Sequence, residues 1–158
     1  MPLAAAAAPP ASTPLIGTFP IEAHIVPFEP ESTICGFPIT ATYTGQGTFQ
    51  VFFDEAGEPD RLHVHVKTRG TLSANGVTLS ARASGNQMID FDAQTVVEVG
   101  LAFSYYAPGT GVVLMDRGRL VWSADPETGD VLWPPAFEAG PHPQLHGDLG
   151  GLCEALAP

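Results

Sequence analysis

The first residues with chemical potential are His63 and His65, two positions apart in "RLHVHV", residues 61–66. In a strand that spacing sends both imidazoles out of one face. The same alternation puts Leu62, Val64 and Val66 on a core-facing side and Arg61, His63, His65, Lys67 and Arg69 on the other. Three of the six Lys and Arg of a chain with net charge −11 therefore share one strand face. If Asn75 and Gly76 form a two-residue turn, Arg69 falls opposite Arg82. Like charges directly across a ladder are destabilising unless something anionic offsets them. Two readings follow. Arg61, His63, Lys67, Arg69 and Arg82 form an anion-recognition face for a carboxylated ligand, an anionic polymer or an acidic protein partner, or they form a solvated outer face, which is the commoner arrangement.

A metal is the other chemistry that paired histidines suggest. Gly57, five residues, His63, one residue and His65 resemble the opening of the cupin signature, which binds a metal inside a β-barrel. The glutamate that should follow is replaced by "VKTRG", and the second cupin motif is absent. The fragments "HVH", "AGPH" and "HGDLG" also resemble pieces of copper/zinc superoxide dismutase. A site of that kind would need His63, His65, His142, His146 and Asp148 to converge, and no later histidine supplies the remaining copper ligand. Lys67 and Arg69 would further repel a divalent cation. The expectation is no metal and no cofactor. No G-x-S-x-G elbow or phosphate-binding glycine loop occurs, and the carboxylate pairs Asp54/Glu55 and Asp90/Asp92 sit in turn-like contexts.

The 158 residues suit one domain with a substantial core. Seventeen Gly and 16 Pro against few charged residues favour short elements and an all-β architecture. The acidic balance excludes a nucleic-acid partner, and no apolar run reaches the length of a membrane span. The opening "PLAAAAAPPAS" resembles the end of a signal peptide, which gives residues 1–14 as a flexible remnant of an export region and 15–158 as one β domain. Cys35 and Cys153 lie outside any CxxC or metal spacing. Either they are two buried thiols or they pair across more than a hundred residues. Pairing is favoured, and it implies an oxidising, secreted or otherwise extracytoplasmic location.

From Phe37 onward, β-rich runs alternate with turn signals at the spacing of sandwiches and barrels. Gly45 is expected in a hairpin turn between "FPITATYT" and "GTFQVFFD", and Asn75-Gly76 in a second. In "VVEVGLAFSYYA" the alternation of Val97, Val99, Leu101, Phe103 and Tyr105 predicts a core face. "VVLMD", "RGRLVW" and "VLW" complete an antiparallel meander of about eight strands. An up-and-down β-barrel hides strand edges and is preferred to a β-sandwich. Leu149, Leu152, Cys153 and Leu156 recur at helical spacing after Asp148, predicting a short C-terminal helix with Asp148 as N-cap.

"CGFPI", "FFDEAGEP", "PGTGVVLMDRGRLVW" and "FEAGPH...LC" resemble a set of small uncharacterised exported proteins of actinobacteria, over roughly residues 34 to 156. That resemblance implies export and a single β domain and carries no activity. At fold level the chain also resembles lipocalin-like and allene-oxide-cyclase-like barrels, which implies an interior cavity. The leading expectation is an exported, disulfide-stapled, noncatalytic barrel binding a small apolar or amphiphilic molecule. The alternatives are a cyclase- or isomerase-type barrel enzyme and a surface interaction module using the basic face. Tyr43, His65 and Tyr105 are the candidate ligand-binding residues.

Overall fold

The computed structural model describes residues 13–158, so the expectation for residues 1–14 lies almost wholly outside the described residues. The elements in chain order are β1 (Leu15–Pro27), α1 (Glu31–Cys35), β2 (Thr40–Phe53), β3 (Pro59–Ala74), β4 (Val77–Asp90), β5 (Thr95–Ala107), β6 (Gly111–Ser123), β7 (Phe137–Ala139) and α2 (Gly150–Leu156). The seven strands form one antiparallel sheet in sequence order, β1 to β7. Its pairing includes a ring through four strands. Tyr43 on β2 reaches Phe103 on β5, ring centroids 6.3 Å apart, although two strands separate them in the sheet. One sheet curled on itself is the barrel-like form rather than a sandwich of two.

Turn chemistry sets this register. Asn75 (φ 52°) and Gly76 (φ 79°) occupy the two left-handed positions of a tight hairpin turn. Ala74 then pairs with Val77, and the whole β3/β4 ladder follows, including the predicted confrontation of Arg69 with Arg82. Asn75 serves a second purpose by donating its side-chain amide to the Leu156 carbonyl at the end of α2, 2.9 Å away. The hairpin thereby satisfies one of the orphan carbonyls that every helix terminus leaves.

The expected hairpin at Gly45 does not form, because Gly45 lies inside the continuous strand β2 and pairs with Thr68. A Cβ there would collide with the Lys67 carbonyl, and one at Gly70 with the Thr42 carbonyl. These glycines let β2 and β3 approach closely where the sheet bends, a use of strand glycine distinct from turning the chain. β1 was not anticipated. It pairs with β2, and two reciprocal contacts hold it: the Phe49 ring covers Gly17, and the Phe19 ring covers Gly47. Of "VLW", Val131 makes only an isolated bridge to Ala124.

The main core fills one end of the curled sheet. Ile39, Leu72, Leu79 and Tyr105 are buried together with Leu149, Leu152 and Leu156 from the C-terminal segment. Burying a Leu side chain stabilises by roughly 1.5–3 kcal/mol, which fixes a helix too short and too glycine-rich to persist alone. The predicted cap is one residue out of place: Leu149 holds the N-cap position with no side-chain hydrogen bond, and Asp148 precedes it. Cys35, ending α1, is bonded to Cys153 in α2 across a sequence separation of 118, tying both helices over the same end. A smaller cluster of Val96, Leu120 and Trp122 occupies the opposite part of the interior.

A bridge closing so long a loop has an upper entropic contribution of about 4.7 kcal/mol. Replacing both cysteines by alanine is expected to lower unfolding free energy by about 2–5 kcal/mol. Urea denaturation of the variant beside the oxidised protein measures it, and an unchanged midpoint would show that burial of the three leucines holds the helices unaided.

Candidate functional site

Between the two clusters the interior is open. A cavity of ≈ 500 Å³ is bounded by β2 to β6 and by His142. Its origin lies in one row across the sheet. Gly47 pairs with Val66, Val66 with Gly85, Gly85 with Gly100, and Gly100 with Gly118. Four of these five positions have no side chain to fill the interior. The Phe19 ring covers Gly47, and at the other end a Cβ on Gly118 would lie 2.8 Å from the His142 imidazole. Gly85 and Gly100 are left bare, and the cavity lies over them.

The inward face of β5 differs from the predicted one. A register irregularity between Leu101 and Phe103 reverses the alternation. Phe103 and Tyr105 point inward as expected. Beyond the irregularity Val96 is buried, whereas Val99 is 39% exposed. Gly100 (φ 132°) stands beside this bulge in a conformation closed to most L-residues. The consequence is chemical, because Glu98 now lines the cavity. Its carboxylate is held in place by two neutral donors, Gln87 Nε2 at 3.1 Å and Trp122 Nε1 at 2.9 Å.

Tyr43 lines the cavity, and Tyr105 is completely buried in the adjoining core. Their hydroxyls are close enough to act on each other's ionisation, yet neither makes a hydrogen bond of full geometry, and both are shut off from solvent. Burial pushes the Tyr43 phenol up to about 12; the Tyr105 hydroxyl opposes this shift, and the Glu31 carboxylate adds to it. Tyr105 is raised further, first by burial and then by Tyr43, Glu31 and Asp116. Glu31 is itself buried and accepts a 2.6 Å hydrogen bond from Gln144. Both tyrosines therefore present neutral hydroxyls across the physiological range.

His65 does not join them. It points from the opposite face of β3, where its Nδ1 lies 3.0 Å from Asn86 Oδ1 on β4. Alternation separates His65 from Val64 and Val66, whose side of the strand lines the cavity. The histidines of the imagined metal site are likewise dispersed. His63 lies on the outer face against Phe52, ring centroids 5.1 Å apart, and His146 pairs with Glu138 at 2.7 Å. His142 is buried, its Nδ1 2.9 Å from Asp116 Oδ1 and its Nε2 3.3 Å from the Ala139 carbonyl. Among the described residues, no three His, Cys, Asp or Glu side chains are grouped to hold a metal.

Of the basic face, Arg61 bonds Asp60 and lies over the Phe52 ring. Arg82 lies over Tyr106, 5.8 Å from the ring centroid. Among the described residues no ion pair reaches Lys67, Arg69 or Arg82. Sequence reading missed Glu98, Gln87, Asp116 and the glycine row. The available signal was glycine inside strand patterns, which marks bulges and close approach. No family model, curated protein or solved structure matches the chain.

For the two raised phenols the native state holds protons that the unfolded chain releases from about pH 10. Their contribution to stability is thus complete below pH 10 and is lost as pH rises through about 12 for Tyr43. The Tyr43→Phe variant is expected to lose less stability than the parent between pH 10 and 12, read by urea midpoints across that window; parallel losses in both proteins would contradict the burial of this hydroxyl.

Proposed function

We propose that the protein is an exported, disulfide-stapled β protein that binds a small apolar or amphiphilic molecule in its interior, without catalysis. The observation that carries this reading is the cavity over Gly85 and Gly100. Its volume falls within the usual range for small-molecule sites, about 300–1,000 Å³, and aliphatic and aromatic groups such as Val64, Val66, Phe103 and Leu120 dominate its boundary. A bridged pair of cysteines supports an extracytoplasmic location, since such bonds persist in oxidising compartments. The resemblance to small exported actinobacterial proteins points the same way. No helix among the described residues is long and apolar enough to cross a membrane.

An isomerase-type reading has less support. Without His65 it would have to rest on tyrosines whose protons are held tightly, on Glu98, whose carboxylate is already bonded to Gln87 and Trp122, or on His142, whose ring is engaged by Asp116 and the Ala139 carbonyl. The basic outer face sustains a second reading, because Arg69 and Arg82 are paired directly and a depression of ≈ 360 Å³ adjoins Lys67 and Arg69. An anionic polymer or an acidic protein segment would relieve that repulsion.

Gly85 gives the cleanest test. A Cβ added there meets only the Val99 carbonyl, at an ordinary 3.6 Å, and the backbone is outside the left-handed region. Gly85→Leu is expected to fill the cavity and weaken uptake of an apolar fluorescent probe by about ten-fold or more, with the thermal midpoint little changed. Equal uptake by parent and variant would move binding away from the interior.

A further inference from the structure

We propose that the molecule held in this cavity is an amphiphilic organic cation, an alkylamine or a similar hydrophobic base, its charged end received by the Glu98 carboxylate and its chain by the apolar walls that run toward Phe103 and Tyr43. This rests on the interior-binding reading above and specifies its ligand class.

The cavity is poor in cations. None of the six Lys and Arg residues lines it. Among the described residues that do, His142 has cationic capacity, and its two nitrogens are already committed to Asp116 and the Ala139 carbonyl. Both partners are acceptors, so a charged ring would donate to each and its charge would be balanced by Asp116. Among the described residues no ion pair reaches Glu98. Its two hydrogen bonds come from neutral groups, Gln87 and Trp122, which hold the carboxylate at a fixed place and leave acceptor capacity on each oxygen.

An anionic amphiphile such as a fatty acid would bring a second negative charge into this interior with no cation to receive it. A neutral alcohol would gain the apolar walls and at most one hydrogen bond to Glu98, with no ion pair. A cation gains those walls and a charge-assisted bond to the carboxylate. Tyr43 and Phe103, ring centroids 6.3 Å apart, bound the cavity on the side of the main core, along the strands from Glu98, where they wall the alkyl chain. The net charge of −11 would in addition raise the local concentration of cations.

The test compares three probes of equal chain length, decylammonium, decanol and decanoate, below the concentrations at which they form micelles. Each displaces an apolar fluorophore from the full-length oxidised protein in physiological salt, where long-range attraction is largely screened. Decylammonium is expected to bind about ten-fold tighter than decanol, with decanoate weakest. Glu98→Gln should bring decylammonium down to the affinity of decanol while leaving decanol unchanged. Decanol or decanoate binding as tightly as decylammonium would overturn the proposal and leave interior binding standing, as would a cation preference that persists in Glu98→Gln. Failure of all three probes to bind would overturn both. Should Glu98→Gln fail to fold, the ranking of the three probes on the parent protein decides.

Discussion

A sheet that curls round on itself must fill its interior with side chains or leave a space, and here one cross-strand row determines which. Where Gly85, Gly100 and Gly118 stand side by side on β4, β5 and β6, three adjacent strands offer only backbone to the interior. Small barrels are otherwise filled by their own inward side chains. The two covered ends of the row are as informative as the bare centre. Phe19 closes over Gly47 and His142 over Gly118, so the space is confined to the middle and flanked by packed clusters.

Keeping a cavity open lowers stability, because its lining atoms lack contact partners on one side. The remainder of the fold compensates by concentrating its packing at one end. There the Leu152 and Leu156 side chains of α2 are fully buried, Asn75 ties the end of that helix to the β3–β4 turn, and Cys35–Cys153 joins α1 to α2. The buried Asp116–His142 pair plays a similar part for the chain that follows β7. It anchors that segment over β6 with the backbone bond from Arg117 N to the Pro141 carbonyl. Glu98 is held by Gln87 and Trp122 on the adjacent strands, so the cavity carries a carboxylate at a defined place.

Those parts of the fold governed by local chemistry were legible in the sequence. Asn75-Gly76 gave the β3/β4 register and, through it, the opposition of Arg69 and Arg82. The helical spacing of Leu149, Leu152 and Leu156 located α2, and cysteine placement gave the bridge. What escaped was decided between strands. Gly45 reads as a turn residue in isolation, and only the approach of the Lys67 carbonyl makes it a strand residue. A regular alternation through "VVEVGLAF" places Val97 and Val99 inside and Glu98 outside; the irregularity beside Gly100 inverts that assignment and brings a carboxylate into the cavity. The strand glycines carried the necessary information, but their alignment into one row depends on three registers at once. Tyr43, His65 and Tyr105 were grouped as candidate ligand-binding residues; the fold brings the two tyrosines together and leaves His65 on the other face of β3, as its own strand alternation dictates.

The most direct measurement is a crystal structure of the oxidised protein grown with a bromine-labelled alkylamine, located by the anomalous signal of the bromine. The account predicts density inside the sheet over Gly85 and Gly100, with the amine end toward Glu98. Density confined to the outer face, or an interior closed by Phe103 and Leu120 with no room for the chain, would contradict it.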